Sequence, residues 1–223
     1  MLEMSRFLFT LIYLFLLLSP SSSYAFEGNE NQPKNENISD IIDPPGSAAL
    51  NILVSSLSSL KELKKQDKGT IENILTLIRI KLLPSLDISY STQRALDNYY
   101  NDFTDSEKQL FETYIIESLI NDYVGILGAY QDLDSINISI GKDILRKDNR
   151  ANVPLVVSFS NNSQPVEVAL SMIKTNSWKI YDVTFSGVSL VKNYQAQFGS
   201  MIKRKGKDFL IKVITKKILE VKK

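Results

Sequence analysis

Two carboxylates stand inside strand-like runs of β-branched and aromatic residues: Glu167 in Val166-Glu167-Val168 and Asp182 in Tyr181-Asp182-Val183. A carboxylate held in an apolar pocket can keep or take a proton near neutral pH, the chemistry of a small lyase or isomerase of the NTF2-like kind. Other chemistries are excluded by composition. The 223 residues include no Cys and no His, which removes disulfides, thiolate catalysis, Cys-ligated metals and the commonest general base and metal ligand. No phosphate loop, metal-ligand spacing or nucleophile motif occurs. Alternation places Glu167 on the face opposite its apolar neighbours, away from any pocket. Asp182 suits a hydrogen-bonded structural role better than catalysis. The residues therefore point away from an enzyme, with carboxylate-dependent isomerase or lyase chemistry as the alternative.

The elements that carry these residues follow from periodicity. From Asp134 onward apolar residues alternate with polar ones: Ile136-Ile138-Ile140, Val153-Leu155-Val157-Phe159 and Val166-Val168-Leu170-Met172. Asn161-Asn162-Ser163 and Thr175-Asn176-Ser177 are turn sequences between them. With the strand opening at Trp178 they predict a four-stranded antiparallel meander. Ser186-Gly187 breaks that last strand, and Val188, Val191, Tyr194, Phe198, Met201 and Ile202 then share one helix face, predicting a helix from Val188 to Lys205. A final helix spans Lys207 to Leu219.

Helices also precede the sheet. Ala48, Leu50, Leu53, Leu57 and Leu60 mark the first, and Thr70 N-caps a second that Pro84 ends. Asp87 to Tyr100 continues helically. Thr104 and Glu107 form a capping box opening a long helix whose apolar stripe, Leu110 through Tyr130, is broad enough to pack on more than one side. Helices, then strands, then helices is an α+β order, with helices covering one face of a curved sheet.

The N-terminus reads as a targeting segment. Arg6, an apolar run from Phe7 to Leu18, and Ser23-Tyr24-Ala25 make residues 1–25 a signal peptide cleaved after Ala25. About 12 apolar residues fall short of the roughly 20 needed to span a bilayer. Residues 26–46, rich in Asn, Glu, Asp and Pro, read as a flexible leader, and residues 47–223 as a single domain. The chain is expected in the periplasm. Cationic and anionic residues nearly balance, 26 against 25, so no nucleic-acid partner is implied. The charge is unevenly placed: from Lys203 onward there are nine basic residues against Asp208 and Glu220. That segment is either a solvated face or a surface attracted to anionic headgroups or acidic partners.

Trp178-Lys-Ile-Tyr-Asp-Val183, then Gly187-Val-Ser-Leu-Val-Lys-Asn-Tyr194 and Gln197-Phe198, resembles the signature of the MlaC-like family. These are the periplasmic phospholipid-binding proteins of the Mla pathway, also called toluene-tolerance or ABC-transporter auxiliary components. Leu82-Leu83-Pro84 with Asp87, the long helix with Thr104, Glu107, Phe111, Tyr123, Leu127 and Tyr130, and Gly206-Lys207-Asp208 with Leu210-Ile211 extend the likeness. It spans Ala48 to Leu219. Leu96-Asp97-Asn98-Tyr99-Tyr100 departs from it, lacking a Gly and a Trp common in the family.

The resemblance implies an apolar lipid pocket between sheet and helices, with phospholipid as cargo and no other cofactor. It also implies delivery between an outer-membrane lipoprotein–porin complex and an inner-membrane ABC transporter bearing an MCE-domain hexamer, maintaining outer-membrane lipid asymmetry. A hopanoid is the alternative cargo, and the carrier is expected to be a monomer. Given such a pocket, helix faces assign to its wall Leu83, Ile88, Tyr99, Ile115, Leu119, Tyr123, Leu127, Tyr194 and Phe198. Strand alternation adds Val157, Phe159, Val168, Leu170, Val183, Phe185 and Val188. Tyr123, Tyr130, Tyr181 and Tyr194 could each set a ring against a chain and a hydroxyl near the headgroup.

Overall fold

A computed structural model describes residues 44–129, 132–142, 144–160 and 164–221, the side chains of Asp122, Tyr123, Ile126 and Val221 excepted. The expected signal peptide, the leader through residue 43, Tyr130 and the Asn161–Ser163 turn lie outside the described residues. Among those described, no helix is long and apolar enough to cross a membrane, and no acidic cluster could hold a metal ion.

The helical half begins with α1 (Pro45–Lys65), whose first residue is a proline, tolerated there because its missing N–H would have no partner. Helix α2 (Ile71–Leu77) is capped by Thr70, which accepts from the Asn73 N–H at 3.3 Å. It widens into a π-helical turn (Ile78–Leu82) and tightens into a 3-10 turn containing Pro84 (Leu83–Ser85). Asp87 caps α3 (Ile88–Leu96) by accepting from the Tyr90 N–H at 3.0 Å. The helix stops short of the expected Tyr100 because Asp97 takes φ +49°, and a 3-10 turn follows. The capping box forms as expected at α4 (Asp105–Ala129): Thr104 N–H donates to Glu107 Oε2 at 2.7 Å, and Glu107 N–H donates to Thr104 Oγ1 at 3.3 Å.

The sheet is antiparallel, in the order β1 (Ile136–Ile140), β3 (Arg150–Phe159), β4 (Val166–Lys174), β5 (Trp178–Phe185), β6 (Val188–Ser189). A short β2 (Leu145–Lys147) pairs with the start of β3. The four long strands form the expected meander, and register aligns Val153 with Leu170 and Leu170 with Val183 in one apolar row. Among the described residues the sheet nevertheless has six strands, not four. The two additions have three and two residues, too few to show a period.

At β6 the expected helix start at Val188 is corrected. Ser186 and Gly187 both take positive φ, +47° and +81°, the signature of a two-residue hairpin turn whose twist matches its strands. Val188 therefore pairs back with Phe185. Helix α5 (Leu190–Lys205) starts two residues later, capped by Ser189, whose Oγ accepts from the Lys192 N–H at 3.0 Å. Gly206, at φ +84°, separates α5 from α6 (Lys207–Val221).

Three apolar clusters hold these elements. One face of the sheet, through Val153, Leu155, Leu170, Met172, Trp178 and Ile180, packs on Ala49 and its neighbours in α1. A second cluster joins α1, α2, α4 and the start of β1 through Leu60, Ile74, Ile78, Ile120 and Leu133. A third is wholly helical: Leu96, Phe111, Tyr114, Val191, Tyr194, Phe198, Leu210, Ile214 and Ile218 from α3, α4, α5 and α6. Phe111 sits edge-on to both Phe103 and Phe198, at centroid distances of 4.9 and 5.3 Å. Helix α4 contributes to two clusters, which accounts for its broad stripe.

The turn at Gly187 is open to a direct test. Among the described residues a Cβ there meets nothing within 4 Å, so it is backbone conformation that penalises a side chain. Gly187→Val should cost about 1–2 kcal/mol and Gly187→Asn distinctly less, since Asn tolerates left-handed φ. Urea unfolding midpoints would show this order; equal midpoints would exclude it.

Candidate functional site

Strand β5 has one edge on β4, while among the described residues most of its other edge pairs with no strand, and helices attach there instead. Asp87 N–H donates to Ile180 O at 2.8 Å, and Ser91 Oγ donates to Tyr181 O at 2.6 Å. These bonds set the start of α3 against β5, where Leu86 makes an isolated parallel bridge to Ile180. Two residues further along, Asp182 holds α5. Its Oδ2 accepts from Ser189 Oγ at 2.6 Å and its Oδ1 from the Val191 N–H at 3.0 Å.

A bulge makes this possible. Ser171 pairs with Asp182 but Met172 pairs with Ile180, so Tyr181 is an extra residue in β5. Its ring stands edge-on to Tyr90 of α3 at 4.8 Å. Burial pushes the Tyr181 hydroxyl upward in pKa, opposed in part by a hydrogen bond with Ser171. Burial likewise pushes the Asp182 carboxyl up, against the hydrogen bonds from Ser189, Val191 and Val183.

Between these attachment points lies a cavity of about 40 Å³. Its wall is Leu86, Ile88 and Ser91 from the α3 side, Ile115 and Leu119 from α4, Ile180 to Val183 from β5, and Leu190, Val191 and Tyr194 from the start of α5. The exposed wall is apolar, because Asp182 and Ser91 direct their polar atoms into the bonds just described. Ligand pockets for small molecules run to several hundred Å³, so this one is small beside them. A second, wider hollow of about 610 Å³ lies on the sheet and is lined in part by Lys142, Pro154, Val156, Glu167, Ala169 and Thr184. Glu167 is exposed there, on the face opposite the α1 cluster.

The structure brings together Ile88, Ile115, Leu119, Val183 and Tyr194 of the residues assigned to a pocket wall. Leu83 and Leu127 pack instead on the cluster around Leu60 and Ile74. Tyr99 and Phe198 belong to the helical cluster, and Leu170 and Val168 to the sheet–α1 cluster. Phe159 is buried, Val157 and Phe185 are partly buried, and Val188 is 41% exposed. The side chain of Tyr123 lies outside the described residues. Leu86, Ser91, Ile180, Leu190 and Val191 line the cavity without having been expected there. The missed signal was the free edge of β5, which alternation cannot register.

The upward shift at Asp182 has a definite sign in stability. Raised above its unfolded value, the carboxyl contributes stability fully present below the ordinary carboxylate range. That contribution is lost as pH rises through the folded value. Asp182→Asn should therefore gain on the wild type as pH increases from that range toward neutrality, in denaturation followed at several pH values. A constant difference across pH would refute the assignment.

Three comparisons bear on this arrangement. The sequence profile described as MlaC protein matches residues 52–216. The chain is 25% identical over 162 residues to the intermembrane phospholipid transport system binding protein MlaC of Haemophilus influenzae, covering 71% of this chain and 73% of that one. Its fold superposes with a TM-score of 0.69 on a phospholipid-binding protein from Ralstonia solanacearum solved in complex with a phospholipid. That match covers 80% of this chain and 99% of the other at 22% identity, a likeness of fold. With its profile matched over most of its length, the chain belongs to the MlaC family.

Proposed function

We propose that this protein is a periplasmic phospholipid carrier, taking lipid between the outer membrane and an inner-membrane ABC transporter, with the acyl chains held at the β5 edge. The observation that carries the reading is the small apolar cavity between β5 and the starts of α3 and α5, in a chain of the MlaC family. Support also comes from the fold, shared with a structure that holds a phospholipid.

Withdrawing two acyl chains from water is worth about 0.8 kcal/mol per CH₂, roughly 20 kcal/mol or more for a whole lipid. A lipid therefore needs a covered route through an aqueous compartment. At about 40 Å³ the cavity holds little more than one water-sized group, so α3 and α5 must part from β5 to admit a chain. The side chains that line the cavity, Ile88, Leu190 and Tyr194 on the helices and Ile180 and Val183 on β5, are largely apolar, so methylene groups entering between them meet apolar surface. One apolar environment is exchanged for another, and the net free energy stays small enough for release. Direction of transfer then rests with partners, because the chain has no nucleotide-binding motif.

Native mass spectrometry of the protein purified from cells should show one phospholipid per monomer. Finding none, together with no uptake from labelled liposomes, would sink the carrier reading. Ile88→Gln places an amide in the cavity wall and should lower uptake at least severalfold. Ile80→Gln, the same change at a residue 64% exposed, should leave uptake unchanged. If both variants take up lipid like the wild type, the site lies elsewhere.

A further inference from the structure

Helix α6 buries Leu210, Ile214 and Ile218 against α4 and α5, and this stripe defines its inner face. On the opposite side, at spacings of three, four and three, stand Phe209, Lys212, Lys216 and Leu219. All four are exposed, Phe209 by 43% and Leu219 by 60%, so two large apolar side chains bracket two lysines on a face directed to solvent. Lys203, Arg204 and Lys205, exposed in the last turn of α5, are joined to the start of α6 through Gly206. Glu220 partly offsets the stripe through Lys216, at 3.7 Å. From Lys203 onward the chain carries nine basic residues against two acidic ones, while the remainder has 17 basic against 23 acidic. The charge is thus segregated to one end of a chain whose net charge is only +1.

We propose that the outer face of α6, with the end of α5, docks this protein on the surface of an anionic bilayer. Phe209 and Leu219 would enter the headgroup boundary while Lys212, Lys216 and the Lys203–Lys205 turn meet lipid phosphates. Two features favour a bilayer over an acidic protein face. Large apolar groups interleaved with lysines match an interface that is apolar below and anionic above. The lysine stems can also lie along the apolar boundary with their ammonium groups in water. This surface is separate from the cavity, to which α6 contributes no residue.

The test uses the mature full-length protein with vesicles of phosphatidylcholine alone, and with about one-third phosphatidylglycerol. Co-sedimentation should show binding to the anionic vesicles, weakened by salt, and little to the neutral ones. Lys212→Gln and Lys216→Gln should each weaken binding about fivefold, and Phe209→Ser comparably. These exposed substitutions should leave the unfolding midpoint and the co-purified lipid content as in the wild type. Equal binding to both vesicle types, or unchanged binding by all three variants, would overturn the proposal. So would variants that lose binding to polyglutamate while holding to vesicles, which would assign the face to an acidic protein. Loss of vesicle docking with lipid content intact would leave the carrier function standing, and the converse result would leave the docking surface standing.

Discussion

Burying a carboxylate costs free energy that only fixed donors can offset, and Asp182 draws its donors from the next strand and helix in the chain. Ser189 Oγ, itself held by the Lys192 N–H, supplies one bond and the Val191 N–H another. The acceptor thus sits at the N-terminal end of α5, where unpaired N–H groups and the helix dipole favour negative charge. Everything at the β5 edge is registered to this point. The bulge at Tyr181 brings Asp182 opposite Ser171, the tight turn at Ser186-Gly187 returns the chain, and Ser189 then begins the helix. Across the cleft, Asp87 and Ser91 bind the adjoining carbonyls of Ile180 and Tyr181.

While α1 packs on the sheet through an apolar cluster, α3 and α5 are fastened to β5 by a few polar bonds at the rim of the cleft. Such a joint separates cost by location. Widening the cleft lined by Ile88, Val183 and Leu190 exposes apolar surface unless another apolar group takes up the space. Breaking the bonds of Asp182 leaves a half-buried charge with fewer donors. An opening that keeps the rim and widens the cleft is the cheaper deformation, and it is the one an acyl chain would compensate.

Much of the fold was legible from residue pattern. Thr70, the Thr104–Glu107 box and the three alternating runs in β1, β3 and β4 are local signals, and each formed where expected. The short β2 and β6 have no period to read, and the second was hidden because a serine with positive φ looks ordinary in sequence. The cavity was only partly legible for a different reason. Alternation says which residues share a face of a sheet, and it placed Leu170 and Val183 together correctly. It does not say which helix covers each part of that face. Helix α1 fills the portion at Leu170, whereas Val183 reaches the cleft, so one row of side chains belongs to two environments. Ser91, Leu190 and Val191 were missed because they face an edge, and edges are set by which strands pair.

Helix α4 is apolar on two sides because its partners come from both directions along the chain. Ile74 and Leu60 precede it, whereas Val191, Tyr194, Phe198, Leu210, Ile214 and Ile218 all follow. The side carrying Phe111, Tyr114 and Ile115 meets Leu96 and Phe103 from the preceding segment, but the rest of its cover comes from α5 and α6. A fragment ending before α5 lacks Val191, Tyr194, Phe198, Leu210, Ile214 and Ile218, the larger part of that cover. A core that begins near the middle of the chain is thus completed by its last helix, and loss of α6 would uncover an apolar side of α4 far from it in sequence.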